Sequence, residues 1–221
     1  RSKGATAACI QAGELQTMIK LKGAIFDLDG TLLDSMPFWD NIGAGYLKLK
    51  GHNPPKNINE ILKTMSLEQS AQYFKREYSI PGSQDEIIKE ILELIENQYR
   101  WEIPLKASVI PFLYGLYRNN VKMCIATATD YELAKAALER LKVAKYFRFI
   151  FTCSEAGMGK DEPEFFIKAL ELLNTPKHET MVFEDSLHAI KSAKAAGFPV
   201  TAIYDKISHE DWEEIKTIAN I

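Results

Sequence analysis

Two carboxylates, a glycine and a hydroxyl follow a short apolar run near the start of the chain. The run at 23–26 is followed by Asp27-Leu28-Asp29-Gly30-Thr31. Because Asp27 and Asp29 lie two positions apart and Gly30 permits a tight turn, both carboxylates can reach one site. Crowded carboxylates repel each other, and a hard divalent cation such as Mg²⁺ relieves that repulsion because it prefers oxygen ligands. The segment therefore predicts a magnesium site in which one carboxylate can still attack phosphorus.

A hydroxyl follows a second apolar run. Residues 121–126 lead into Thr127 and Ala128, and the Thr127 hydroxyl and the following backbone amides can bind phosphate oxygens. A threonine before a helix is also a common N-cap, so capping is the alternative interpretation. Thr129 or Asp130 is the better capping candidate.

A lysine and a second acidic pair complete the set. Lys160 lies in a short segment before a helix that begins with a proline, and a fixed cation there would neutralise an attacking carboxylate and a transferring phosphoryl group. Glu184 and Asp185 follow the apolar run at 180–183. These two acids could be helix caps only, or they could add ligands to a metal held by Asp27.

The elements around these residues predict an α/β fold. Short apolar runs favour buried strands, and between them lie stretches of helical periodicity, so that strand and helix alternate from Val121 onward. We expect a Rossmann-like, three-layer core with a parallel sheet covered on both faces, whose carboxyl edge holds the ligand. The predicted strands are 23–26, 121–126, 149–151, 180–183 and 199–203, and the predicted helices are about 131–141, 162–173, 186–196 and 208–220.

The alternation fails between residues 36 and 104, where only helical periodicity occurs. This segment predicts an inserted all-helical cap of four helices between two parts of the core, 18–35 and 105–221. Residues 1–17 differ in composition from the rest of the chain and suggest a leader or a remnant of cloning, with a native surface arm as the alternative. Candidate substrate-reading residues of the cap are His52, Asn53, Lys56, Lys63, Thr64 and Ser66.

The composition and charge of the chain indicate which kind of molecule it binds. The chain has 221 residues, 46% hydrophobic and 26% charged, with a formal net charge of −3 and no basic run. This balance predicts a folded domain that binds a small molecule and neither nucleic acid nor a membrane. Three widely separated cysteines without paired spacing, and the lack of a secretory signal, favour the cytoplasm. We expect a monomer or a weak homodimer.

Together the four polar segments resemble the motifs of the haloacid dehalogenase superfamily of phosphohydrolases, which use an aspartate nucleophile. The resemblance covers residues 20–221. The helical insertion after the first motif is similar to that of the subfamily of sugar-phosphate phosphatases, phosphoglycolate phosphatases and β-phosphoglucomutase. The matching positions are Asp27-x-Asp29-Gly30-Thr31, Thr127, Lys160 and Glu184-Asp185.

The resemblance implies a role for each catalytic position. Asp27 would be the nucleophile that forms an aspartyl-phosphate, and Asp29 would be the general acid and base. Thr127 and Lys160 would position the phosphoryl group. Thr31 is expected to orient Asp29.

The resemblance also implies one Mg²⁺ cofactor. Its expected ligands are Asp27, Asp185 and the backbone carbonyl of Asp29, with Glu184 supporting the site nearby. The expected function is hydrolysis of a small phosphomonoester, in particular a sugar phosphate.

Two alternative functions stay open. A phosphomutase would return the phosphoryl group to its substrate, but Trp39 and Leu67 lie near the places where mutases of this family carry a histidine and an arginine. A phospho-acceptor signalling domain would combine similar residues, yet such domains need no cap. The presence of Asp29 favours phosphate esters, because dehalogenases of this superfamily lack that aspartate and phosphonatases replace it with alanine.

Overall fold

The computed structural model describes residues 21–62, 65–206 and 208–221, and the segment 1–17 lies outside this part of the chain. Five parallel strands form one sheet in the order β3-β2-β1-β4-β5, which confirms the predicted fold class. The strands are β1 (Gly23–Phe26), β2 (Lys122–Thr127), β3 (Ile150–Thr152), β4 (Thr180–Glu184) and β5 (Val200–Ala202).

The central strand β1 places the first motif between its two neighbours. Phe26 lies opposite Ile125 of β2 and opposite Phe183 of β4. Since the three strands are parallel and in register here, the residues at and after their carboxyl ends share one edge of the sheet. Thr127 and Glu184 are the last residues of β2 and β4, so both strands extend one residue beyond their predicted ends.

Between β1 and β2 the chain is helical, as the periodicity predicts. We call residues 36–104 the cap, and we propose this boundary between the cap and the core. Among its described residues the cap contains five α-helices, one more than the four predicted from its sequence breakers, because three helices of four to eight residues precede the two longest ones. They are α1 (Met36–Trp39), α2 (Ile42–Leu49), α3 (Ile58–Leu62), α4 (Leu67–Tyr78) and α5 (Gln84–Asn97), and a π-helical turn (Gln98–Glu102) follows α5.

Local sequence explains where the two longest cap helices begin. The Ser66 side chain accepts a hydrogen bond from the amide of Gln69, whose own side chain accepts from the Ser66 amide, and Ser83 and Glu86 repeat this capping box at the start of α5. Along α5 the side chains of Ile87, Ile91 and Ile95 are buried. Helix α5 is therefore amphipathic, in agreement with the helical periodicity of this segment.

The two segments that link the cap to the core lie side by side. The Asp34 amide donates to the Pro104 carbonyl at 2.9 Å, and the Lys106 amide donates to the Leu32 carbonyl at 2.8 Å. Leu33 and Leu105 form an antiparallel bridge between the same segments. The cap therefore leaves and re-enters the core at one place, next to the first motif.

Helices cover both faces of the sheet. Alternate residues of β1 enter different apolar clusters: Phe26 packs with α6 and α7, whereas Ile25 packs with α9, α10 and α11. The Phe26 ring stacks on that of Phe183 with a centroid distance of 4.4 Å. The helices after the cap are α6 (Val109–Arg118), α7 (Tyr131–Arg140), α8 (Cys153–Ala156), α9 (Pro163–Leu173), α10 (Leu187–Ala195) and α11 (Trp212–Ile218).

Most predicted helices after the cap agree with the observed ones to within four residues at either end. Helices α6 and α8 have no counterpart in the sequence-based prediction. Within the described part of the chain, no helix combines the length and the apolar character needed to cross a bilayer.

Candidate active site

The four polar segments meet at a cavity of about 960 Å³ that lies over the carboxyl edge of the sheet. The core supplies most of its polar lining, and the cap contributes apolar side chains. The residues predicted from the sequence to be catalytic, phosphate-binding or metal-site residues line this cavity: Asp27, Asp29, Thr127, Ala128, Lys160, Glu184 and Asp185.

Gly30 makes the close approach of the first and last motifs possible. Its φ is +79°, which favours glycine, and a Cβ at this position would lie 2.2 Å from Asp185 Oδ2. The Thr31 hydroxyl donates to Asp185 Oδ1 at 3.4 Å. The expectation that Thr31 orients Asp29 is therefore wrong, because the turn directs this hydroxyl toward the end of β4.

Lys160 bridges two carboxylates at the base of the cavity. Its ammonium donates to Asp27 Oδ1 and, at 2.5 Å, to Glu184 Oε1. Glu184 Oε2 accepts from the amides of Asp185 at 2.9 Å and Ser186 at 3.0 Å. Because the Lys160 side chain is buried as well, these contacts fix the cation beside Asp27.

The pKa values of the three acids in this cluster are shifted in opposite directions, because burial and neighbouring carboxylates raise a pKa whereas Lys160 and backbone amides lower it. Burial, with the charges of Glu184 and Asp29 and against the attraction of Lys160, raises the pKa of Asp27 to about 7. Burial and the charges of Asp27 and Glu184 raise the pKa of Asp185 to about 9. For Glu184, burial is outweighed by Lys160 and by backbone amides, which hold its pKa below the usual value.

The acidic cluster fits a hard divalent cation. Oxygens of Asp27, Glu184 and Asp185 lie within 4.8 Å of one another. Asp27 Oδ2 is buried and has no hydrogen-bond partner among the described residues. Lys160 contacts only two of the three buried carboxylates, so a divalent cation would both satisfy this oxygen and offset the excess negative charge. Both Glu184 oxygens already accept hydrogen bonds, which suits a supporting position.

The Asp29 side chain turns away from this cluster. Its Oδ1 accepts a hydrogen bond from the Tyr99 hydroxyl at 2.6 Å, and its Oδ2 accepts from the Thr129 hydroxyl at 2.5 Å. Burial and the charge of Asp29 raise the pKa of Tyr99 above its usual value. The two aspartates of the first motif thus occupy different environments, one beside Lys160 and one beside neutral hydroxyls.

Sequence reasoning missed two of these contacts. It indicates Thr129 only as a possible helix cap, but Asp130 caps α7 by accepting from the Glu132 amide at 2.9 Å. Tyr99 lies at the end of an amphipathic helix, where its aromatic ring is typical of a core position. The sequence offers one signal for Tyr99: the helical pattern places it among buried residues, where a tyrosine hydroxyl needs a hydrogen-bond partner.

Thr127 and Ala128 lie where a phosphoryl group would meet the sheet edge. Thr127 is buried at the end of β2, and its hydroxyl oxygen accepts from the Thr129 amide at 3.0 Å. Both residues line the cavity beside Asp27 and Lys160. Their placement is compatible with phosphate binding, and the sequence-derived role stays a prediction.

The cap residues that line the cavity are not the substrate-reading residues predicted from the sequence. Of the candidate substrate-reading residues that the structure describes, none lines the cavity, whereas Met36, Trp39, Leu92 and Ile95 do. The His52 ring contacts Tyr78, with a centroid distance of 5.6 Å, and Ser66 caps α4. Lys63 and Thr64 lie outside the described residues.

Known proteins resemble this chain in sequence and fold. A family model described as haloacid dehalogenase-like hydrolase matches residues 24–203. A phosphorylated carbohydrates phosphatase of Thermotoga maritima is 25% identical over 190 residues, covering 80% of this chain and 82% of its own. Hexitol phosphatase A of Escherichia coli is 27% identical over 187 residues, covering 84% of each.

A solved structure shares the fold. The crystal structure of a HAD hydrolase of family IA from Entamoeba histolytica matches with a TM-score of 0.71 at 20% identity. The match covers 91% of this chain and 92% of that protein. At this identity the likeness establishes the fold and not the reaction.

In protein freed of divalent cations, we expect the free energy of unfolding to fall as the pH rises from about 5 to about 9. Folding raises the pKa of Asp27 to about 7 and that of Asp185 to about 9, whereas unfolded aspartates ionise near about 4. The folded state therefore binds more protons through this window, and the stability that they supply is lost as the pH passes the folded pKa values.

Urea unfolding at pH 5, 7 and 9 measures this dependence. Mg²⁺ should reduce the loss, and the variant Asp185→Asn, with one fewer titrating carboxyl, should show a shallower dependence. Stability that is constant or rises across this range would contradict the assigned carboxylate crowding.

Proposed function

This chain belongs to the haloacid dehalogenase-like hydrolase family, and we propose that it is a Mg²⁺-dependent phosphatase of small phosphomonoesters, in particular sugar or other polyol phosphates. The prediction of an enzyme of this family is confirmed by the match across residues 24–203. The observation that carries the proposed mechanism is the pairing of Lys160 with Asp27 at the base of the cavity.

Asp27 is the nucleophile in this mechanism. One carboxylate oxygen attacks phosphorus, a bond from that oxygen to phosphorus forms, and the bond from phosphorus to the leaving oxygen breaks. Lys160 neutralises charge on the carboxylate and on the transferring group, and Glu184 keeps the ammonium in place. The Thr127 hydroxyl and the Ala128 amide orient the phosphoryl oxygens.

Asp29 moves the protons. In the first step it donates a proton to the leaving oxygen, and the alcohol departs. In the second step it takes a proton from the water that attacks phosphorus. The bond from the water oxygen to phosphorus forms and the bond from phosphorus to the Asp27 oxygen breaks, so inorganic phosphate is released and the free Asp27 carboxylate is regenerated. The position of Asp29 supports separate roles for the two aspartates. Asp29 lines the same cavity as Asp27, but its side chain is bonded to Tyr99 and not to Lys160.

The residues that would hold Mg²⁺ are Asp27 and Asp185, together with the backbone carbonyl of Asp29 and with Glu184 as support. When bound, the ion supplies positive charge to the phosphoryl oxygens and to the crowded carboxylates. The unpartnered Asp27 Oδ2 supports this assignment.

Support for a sugar or polyol phosphate comes from the names of relatives, which include a phosphorylated carbohydrates phosphatase and a hexitol phosphatase. In this chain, the cap faces the cavity with Met36, Trp39, Leu92 and Ile95, whereas His188, Lys191 and Ser208 line it from the core. We expect the cap to select the leaving group by shape and C–H contact and the core side to meet its hydroxyls.

Location and assembly also stay proposals. The free thiols of Cys124 and Cys153 are compatible with a reducing compartment, and we retain the cytoplasm as the proposed location. A monomer or weak homodimer remains the expected state.

A panel of phosphorylated metabolites assayed with Mg²⁺ tests the function. We expect phosphate release from sugar or polyol phosphates, loss of the reaction in EDTA and recovery on addition of Mg²⁺. Conversion of a hexose 1-phosphate to its 6-phosphate without release would instead identify a mutase. A long-lived phosphoprotein without turnover would identify a signalling domain, and full activity in EDTA would remove the metal from the mechanism.

Replacing Asp29 by Asn should lower kcat/KM on an alkyl phosphate by roughly 10²–10⁴-fold, the usual contribution of general acid–base catalysis. The ratio kcat/KM is the quantity compared, because it reports only the steps up to release of the alcohol, whereas kcat also includes the hydrolysis of the aspartyl-phosphate that both substrates share. The loss should be much smaller for 4-nitrophenyl phosphate, whose leaving group needs no proton. Steady-state kinetics on both substrates measure the contrast. Equal losses would show that Asp29 does not protonate the leaving oxygen.

A further inference from the structure

A hydrogen-bonded chain runs from the cap to the proton-transfer carboxylate. The Trp39 indole N–H donates to the Tyr99 hydroxyl oxygen at 3.1 Å, and that hydroxyl donates to Asp29 Oδ1 at 2.6 Å. Trp39 ends α1, at the start of the cap, and Tyr99 lies in the π-helical turn near its end. The two ends of the cap therefore converge on one core carboxylate.

The direction of each bond in this chain is fixed by chemistry. An indole N–H can only donate, and a phenol has a single proton. While Asp29 is ionised, the Tyr99 oxygen therefore accepts from Trp39 and gives its proton to Asp29. Because the Thr129 hydroxyl donates to the other Asp29 oxygen at 2.5 Å, hydrogen bonds fix both carboxylate oxygens.

The backbone that carries Tyr99 is itself attached to the core. Arg140, the last residue of α7, donates from Nε to the Tyr99 carbonyl at 3.2 Å and from Nη2 to the Ile103 carbonyl at 2.5 Å. The Tyr99 side chain is fully buried. A π-helical turn is rare and often marks a functional position, and here it carries the tyrosine whose hydroxyl donates to Asp29.

Given the proton-transfer role proposed for Asp29, we propose that Tyr99 is a positioning residue for this reaction. Its hydroxyl, oriented by Trp39, holds the Asp29 carboxylate in the rotamer that faces the cavity. Tyr99 touches neither phosphorus nor the leaving oxygen, and it acts only through Asp29. Removing the hydroxyl frees one carboxylate oxygen to rotate, and the cost falls on the proton-dependent step.

Tyr99→Phe tests this role, because it keeps the ring and its contact with Trp39. We expect kcat/KM on an alkyl phosphate from the metabolite panel to fall about tenfold, with kcat/KM on 4-nitrophenyl phosphate within about twofold of wild type. The ratio of alkyl to aryl rates is the ratio of these two kcat/KM values, which excludes the hydrolysis of the shared aspartyl-phosphate.

A matched control is available within the cap. Tyr46 is also buried, its hydroxyl donates to Glu90 Oε2 at 2.6 Å, and neither residue lines the cavity. Tyr46→Phe should therefore leave the ratio of alkyl to aryl rates unchanged. Because both substrates report on the same folded molecules, this ratio does not depend on how much of a variant is folded.

The outcomes separate the positioning role from the proposed function. An unchanged ratio in Tyr99→Phe, or one shifted equally in Tyr46→Phe, would overturn the role of Tyr99. If Asp29→Asn changes the ratio and Tyr99→Phe does not, Asp29 keeps its role and Tyr99 loses it. If Asp29→Asn leaves the ratio unchanged, the proton-transfer role of Asp29 fails and the positioning role of Tyr99 fails with it.

Discussion

The contact of the buried Lys160 ammonium with Asp27 and Glu184 is the interaction on which the site depends. Without this cation, three carboxylates would lie together in a region where burial already disfavours their ionised forms. One lysine offsets only part of that charge, and Asp27 Oδ2 keeps an unused acceptor. The cluster is therefore suited to bind a divalent cation. That cation would also attract the negatively charged phosphoryl group of a substrate.

The sheet supplies the geometry for this crowding. Strands β1 and β4 deliver acids from adjacent positions, β2 delivers a hydroxyl, and the loop before α9 brings Lys160 across them. Gly30 lets the chain turn within van der Waals reach of Asp185, where any larger residue would collide. The same turn leads into the paired linkers of the cap, so the catalytic edge and the base of the cap lie next to each other.

Sequence reasoning succeeded where the functional residues lie in short local segments. Asp27, Lys160 and Glu184 follow apolar runs or precede helices, and parallel strands bring such positions to one edge whatever lies between them. It failed where a contact depends on side-chain direction across distant segments. Thr31 meets the end of β4 rather than Asp29, and the hydroxyl of Tyr99 reaches the core from a π-helical turn that no spacing rule signals. The cap residues that line the cavity are apolar, and the pattern that buries a helix face does not distinguish a core contact from a substrate contact.

In the proposed mechanism Asp27 carries the phosphoryl group during turnover. Acid quenching of the enzyme during reaction with a good substrate, followed by borohydride reduction and peptide mass spectrometry, converts an aspartyl-phosphate to homoserine and identifies its position. We expect homoserine at position 27, dependent on substrate and Mg²⁺. Homoserine at another aspartate, or unmodified Asp27 under conditions of burst release of the leaving alcohol, would contradict the assignment of Asp27 as nucleophile.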